Sequence, residues 1–197
     1  MRIVVGITGA SGSIYGLRLI EVLRKAGHEV HVVVTSSGWQ VLDYECGVSQ
    51  ADMRQRVDVL YDVENIGAAI ASGSFQMDAM VVVPCSMKTV GSIAQGISDN
   101  LLTRAADVAL KEGRPLILVP RETPMHAIHL ENLLRLARTG ARIMPACPGF
   151  YHRPQTLADI VDMMVGKICD LLGVGHQLFD RWQGNESGSS VSINTIE

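Results

Sequence analysis

Apolar residues come along this chain in short blocks of two kinds. Near-continuous runs at Ile3–Thr8, Glu29–Thr35, Val57–Tyr61, Ala79–Pro84, Pro115–Pro120 and Arg142–Ala146 read as strands buried on both faces. Between them, apolar positions recur at helical spacing over Ile14–Ala26, Gly38–Cys46, Lys88–Ile97, Leu101–Glu112, Met125–Thr139 and Leu157–Leu172. Gly27, Gly113 and Gly140 mark helix ends, Asp99 a start, and Thr123 before Pro124 another start. Regular alternation of strand and helix predicts an α/β protein: a single-domain, Rossmann-like (flavodoxin-like) doubly wound parallel sheet with helices on both faces. The pattern runs over residues 1–182. The remainder, 183–197, is rich in Gly, Ser and Asn without periodicity and is expected to be a flexible tail.

In such a sheet ligands bind beyond the carboxyl ends of the strands. The residues there are Gly9-Ala10-Ser11, Thr35-Ser36-Ser37, Cys85-Ser86-Met87-Lys88-Thr89, Arg121-Glu122-Thr123 and Cys147-Pro148-Gly149-Phe150-Tyr151. The first turn, small and hydroxyl-bearing, leads straight into a helix, and free amides at a helix start attract anions. A dinucleotide fingerprint needs G-x-G-x-x-G and an acid at the end of the second strand. Here the loop is Gly6-Ile7-Thr8-Gly9-Ala10-Ser11-Gly12 and the second strand ends Val34-Thr35-Ser36-Ser37, so neither requirement is met. Gly-Lys-Ser/Thr, the mark of a triphosphate loop, is absent too. Hydroxyls on two adjacent loops suit a monophosphate end such as that of FMN.

Composition narrows the class. With 197 residues the chain supports one substantial core. Its net charge of −3 lacks the basic footprint of a nucleic-acid binder. Hydrophobic residues make up 47% and the mean hydropathy is +0.21, a surplus compatible with an oligomer interface. Cys46, Cys85, Cys147 and Cys169 form no C-x-x-C pair, which disfavours a zinc ribbon or a disulfide scaffold and favours a reducing compartment. The apolar run after Arg2 is short and breaks into glycines, as a first strand does and a signal peptide does not. Without a segment of spanning length, a soluble cytoplasmic protein is expected, with neither nucleic acid nor membrane as partner.

Four ordered motifs then carry a resemblance. Thr8-Gly9-Ala10-Ser11-Gly12 with Tyr15 and Arg18-Leu19, Pro84-Cys85-Ser86-Met87-Lys88-Thr89, Pro120-Arg121-Glu122-Thr123-Pro124, and Gly149-Phe150-Tyr151 together resemble the UbiX family of flavin prenyltransferases. This family includes proteins also described as small subunits of phenolic-acid decarboxylase systems. The resemblance implies transfer of dimethylallyl from dimethylallyl monophosphate to N5 and C6 of reduced FMN, independent of metal. The product, prenylated FMN, would serve a UbiD-type decarboxylase. It also implies a homo-oligomer, commonly a dodecamer, with sites at subunit interfaces.

Residue by residue, the resemblance implies that Gly9, Ala10, Ser11 and Ser36 cradle the flavin, with Ser11 near N5. Ser86, Met87, Lys88 and Thr89 would form an anion site, although capping with a solvated Lys88 competes. Arg121 would contact FMN and Glu122 the substrate phosphate, and Glu45 would lie near N5. Arg104 and Lys111, on one helix face by their spacing, would join Tyr151 and Lys167 around dimethylallyl phosphate; solvation is their plain alternative. Trp182 offers an aromatic face to an allylic cation or simply anchors the C-terminus. His126 and His129 lack a third ligand and are expected to pack rather than bind metal. Cys85 is expected to be a small buried hydrophobe.

Two other readings compete. A flavin-dependent cysteine decarboxylase shares the scaffold but carries a Pro-x-Met-Asn-type motif where this chain has Pro84-Cys85-Ser86-Met87-Lys88. A non-catalytic flavin-carrying subunit of a decarboxylase would hold the flavin without altering it.

Overall fold

The computed structural model describes residues 1–182 and Gly184. The expected tail therefore lies outside the described residues, Gly184 excepted. Strands β1 (Arg2–Ile7), β2 (Glu29–Val34), β3 (Val59–Tyr61), β4 (Ala79–Cys85), β5 (Leu116–Pro120) and β6 (Arg142–Ile143) form one sheet in the order β3-β2-β1-β4-β5-β6. Every neighbouring pair is parallel. The helices are α1 (Ser13–Lys25), α2 (Ser36–Cys46), α3 (Gln50–Arg56), α4 (Met87–Ala94), α5 (Leu101–Lys111), α6 (Ala127–Arg138) and α7 (Leu157–Leu172).

Strand alternation sorts the core onto two faces. Ile3, Val5 and Ile7 of β1 and Ala79, Val81 and Val83 of β4 meet α1 and α7 through Leu19, Ile20, Leu23, Val165 and Ile168. Val4, Met80 and Val82 point the other way, onto Leu101, Leu102, Ala105 and Val108 of α5 and Val90 of α4. Each fully buried Val, Leu or Ile contributes roughly 1.5–3 kcal/mol. One approach is too close for any side chain: a Cβ on Gly16 would stand 2.7 Å from the carbonyl oxygen of Val83, so α1 lies directly against β4.

The chain reverses direction across the sheet between β1 and β4, which makes their carboxyl ends the topological switch point. Several local expectations shift. Helix α3 was not apparent from periodicity because Met53 is its one buried residue, though Ser49 and Asp52 close a full capping box around its start. Asn100, not Asp99, caps α5; Asp99 instead accepts from the Thr103 hydroxyl and from Asn100. Helix α6 begins at Ala127, after an extended His126, rather than at Met125 behind Thr123. A single 3-10 turn at Ala69–Ala71 was not foreseen. Gly27, Gly113 and Gly140 all hold positive φ just past helices, as expected of stops.

Candidate active site

Thr8, fully buried at the end of β1, ties the switch point together. Its hydroxyl donates to the Pro84 carbonyl at 2.8 Å and accepts from the Ser86 amide at 2.7 Å. Ser86 in turn caps α4, its oxygen accepting from the Thr89 amide at 3.4 Å. Ser86 thus acts as a cap whose hydroxyl also meets that of Thr89 at 3.1 Å, Met87 is buried, and the ammonium of Lys88 pairs with Asp99 at 2.7 Å. Helix capping and an ion pair thus occupy the side chains of this motif, while the amides opening α4 still face the carboxyl edge.

The loop after β1 is pressed onto the loop after β2. A Cβ on Gly9 would meet the Ser37 hydroxyl at 2.5 Å and its Cβ at 2.6 Å. On α2, Thr35 satisfies the Gly38 amide at 3.0 Å, leaving the amides of Ser36 and Ser37 pointing out of the helix start. Gly9, Ala10, Ser11 and Ser36 therefore lie on two adjoining loops at the carboxyl edge of the sheet.

Helix α1 has no side-chain cap of its own, because Gly12 stands at its N-cap with φ of 107°. The acceptor comes from the last turn of α2. Glu45 takes hydrogen bonds from the amides of Gly12 and Ser13, each at 3.0 Å. Burial alone would raise the Glu45 carboxyl. The Ser11 hydroxyl, the Gly12 and Ser13 amides and the positive charge of Arg121 outweigh it and hold the carboxyl below its ordinary range. Arg121, at the end of β5, donates to the Ser11 carbonyl at 3.3 Å. Beside it Glu122 accepts from the Thr123 amide at 3.0 Å. Ser11, Glu45 and Arg121 come from distant parts of the sequence and meet as one cluster.

A second group forms where α7 meets the segment after it. The rings of Tyr151 and Trp182 stand edge to face, 6.4 Å apart. Lys167, exposed on α7, lies 3.7 Å from Asp170, whose carboxylate also takes two bonds from Arg181 and one from His176. The Arg181 guanidinium, and behind it His176, outweigh burial and hold Asp170 down at about 2. Burial raises the Tyr15 hydroxyl of α1, and Cys147 of the loop between β6 and α7 raises it further. Thr8 opens the first sequence motif, whereas the sequence offered no sign of Asp170 or Arg181.

Arg104 and Lys111 do not join either group within one chain. Arg104 donates to the Ala71 carbonyl and to Asp107, and Lys111 pairs with Glu112 beside Gly73. Lys111 closes α5 just before β5 begins, at the edge of the sheet opposite the switch point. His126 and His129 stack at 3.5 Å between ring centroids. Among the described residues there is no group of three or more side chains suited to a metal ion. Burial drives the Cys85 thiol far up, leaving it inert. A cleft of about 610 Å³ between α1 and residues 175–178 contains none of the expected residues, whereas one of about 310 Å³ is bordered by Ser36, Trp39 and Tyr61.

The donor set fits a flavin monophosphate: two helix starts with free amides, serine hydroxyls on adjoining loops, and one arginine. Comparison with known proteins agrees. A family profile described as Flavoprotein matches residues 1–170. The flavin prenyltransferase UbiX of Halalkalibacterium halodurans is 49% identical over 188 residues, spanning 90% of this chain and 91% of that protein. The crystal structure of AnUbiX (PadA1) in complex with FMN and dimethylallyl pyrophosphate superposes with a TM-score of 0.92 at 41% identity, covering 94% of this chain and 98% of that one. A dodecameric FMN-dependent Ubix-like decarboxylase from Escherichia coli O157:H7 gives a TM-score of 0.91 at 43% identity over 93% and 100% of the two chains. With the motifs, the fold and these likenesses in agreement along nearly its whole length, this chain belongs to the flavoprotein family, in its UbiX flavin prenyltransferase branch.

Proposed function

We propose that this chain transfers a dimethylallyl group from dimethylallyl monophosphate to reduced FMN and releases inorganic phosphate. The carrying observation is the convergence of Ser11, Glu45 and Arg121 at the switch point, with two helix starts open toward it. Reduced FMN, when bound, supplies N5 and C6 as the positions that form bonds to the allyl carbon atoms.

Gly9, Ala10 and Ser36 hold the flavin phosphate and sugar against the open amides, and the backbone of Ser86, Met87, Lys88 and Thr89, at the start of α4, closes the cradle. Arg121 orients the ring. Glu45, kept ionised by its neighbours, is placed to receive through Ser11 the proton that leaves when the second bond forms. Breaking the allylic C–O bond leaves negative charge on phosphate and positive charge on carbon. Lys167 meets the first, assisted by Tyr151, with Glu122 lying beside the ester. The faces of Tyr151 and Trp182 meet the second and exclude water.

Arg104 and Lys111 face residues 71 and 73 of their own chain, and we assign their part to the site of a neighbouring subunit. Exposed Ile128, Leu130 and Leu134 on α6 support a homo-oligomer, read as a dodecamer. No helix among the described residues is long and apolar enough to cross a membrane, which supports the cytoplasmic placement. The prenylated product passes to a UbiD-type decarboxylase.

Anaerobic incubation with reduced FMN and dimethylallyl phosphate, followed by mass spectrometry of the extracted flavin, tests the reading. A flavin heavier by one five-carbon unit with equimolar phosphate is expected. Bound flavin of unchanged mass would make the chain a carrier and overturn it.

A further inference from the structure

We propose that Asp170 is a positioning residue whose carboxylate fastens residues 174–182 to α7 and so sets Trp182 against Tyr151. Three side chains converge on this one carboxylate. Arg181 reaches it twice, at 2.6 and 3.1 Å, in the forked geometry that makes arginine–carboxylate pairs strong and directional. His176, with its side chain 2% exposed, meets it at 3.1 Å. Because the other His176 nitrogen accepts from the Leu178 amide at 3.2 Å, the proton sits on the nitrogen facing Asp170. The carboxylate therefore fixes both ends of the turn, at His176 and at Arg181.

Packing alone supplies the remaining contact. Phe179 and His176 press against Gly166, where a Cβ would stand 2.5 and 2.7 Å from their rings, and Arg181 stacks on Phe179 at 5.6 Å. Trp182 follows Arg181 directly, is 61% exposed, and has Tyr151 at 6.4 Å as its aromatic neighbour. A ring that exposed owes its place to the residue before it, and that residue owes its place to Asp170. Lys167 shares the same carboxylate at the longer distance of 3.7 Å. An arriving phosphate ester can draw Lys167 away while Arg181 keeps the segment closed. The role of the donor in this scheme rests on the function proposed above; the fastening itself does not.

The test compares the full-length protein with Asp170→Asn, both in a Trp39→Phe background so that Trp182 alone reports. Acrylamide quenching of Trp182 is expected to rise measurably, by up to about 1.6-fold for a ring already 61% exposed, as it loses its seat. In turnover with dimethylallyl phosphate, kcat falls about tenfold while KM for the donor moves less than about threefold, because the aromatic face acts on charge that develops during bond breaking. FMN affinity stays within about twofold, since the flavin cradle lies at the switch point. Unchanged quenching and unchanged kcat in Asp170→Asn overturn the proposal. Should that variant fail to bind FMN, Arg181→Gln, which leaves Asp170 and His176 in place, carries the same two readouts. If the parent protein binds FMN but makes no prenylated product, the functional reading fails, and quenching alone still decides whether Asp170 seats Trp182.

Discussion

The hydroxyl of Thr8 accepts a hydrogen bond from the amide of Ser86 at 2.7 Å, joining the ends of the two central strands where the sheet changes direction. The same hydroxyl donates to Pro84, so a single oxygen of β1 satisfies two backbone groups at the end of β4. Thr8→Val keeps the shape and removes the link. A loss of roughly 1–3 kcal/mol in stability is expected, the cost of leaving a polar group without its partner. Urea unfolding of the two proteins measures it, and equal midpoints would show that the link is dispensable.

Gly9 permits the loops after β1 and β2 to touch. Gly9→Ala places a methyl carbon 2.6 Å from the Ser37 Cβ, which cannot swing aside as a long side chain could. The two loops must separate, and FMN affinity is expected to drop about tenfold, as when a pre-formed site is displaced. Isothermal titration with FMN gives the comparison; unchanged affinity would mean that the flavin does not use this edge.

Glu45 makes stability depend on acidity. Its carboxyl is held below the ordinary 4.5, so the folded form prefers it ionised. That contribution is present in full above the unfolded value and disappears as pH falls through the lower folded one. Glu45→Gln is expected to lose about 0.5–1 kcal/mol at pH 7, the worth of a carboxylate at a helix start, with the gap to the parent closing below pH 4. Thermal melts at several pH values follow it. A gap that stays constant down to pH 3 would assign the effect to packing instead.

Lys167 has a loose partner in Asp170 and an open face. Lys167→Ala is expected to raise KM for dimethylallyl phosphate at least about tenfold, as loss of a charge-assisted contact does, with FMN affinity unaltered. Steady-state kinetics with the ester varied will report this. Turnover equal to the parent at low ester concentration would remove Lys167 from the phosphate site.

Legibility in the sequence followed range of interaction. Strands such as Ile3–Thr8 announce themselves by unbroken apolar runs because both faces of the sheet are covered. Helices α1, α5 and α7 do so by their stripe. Helix α3 is missing from the sequence reading because its seven residues bury Met53 alone, and the Ser49–Asp52 capping box at its start is its one local mark. The Ser11 and Arg121 motifs were legible as strand-end loops. Glu45 stood out only through resemblance, since its meaning comes from amides more than thirty positions away. Asp170 was illegible for another reason: His176 and Arg181 stand only 6 and 11 positions further on, but they lie in an irregular segment that follows no helix or strand period. For Arg104 and Lys111, shared spacing correctly put both on one face of α5, but spacing cannot say which chain that face serves.

The strand order has a consequence for biosynthesis. β1, made first, ends in the middle of the sheet, with β2 on one side and β4 on the other. A nascent chain can pair one edge of it early, yet the second edge waits until residue 85 has left the ribosome. Until then a strand of Ile and Val stands half-zipped, which makes the interval between the synthesis of β1 and the emergence of β4 the period of greatest aggregation hazard.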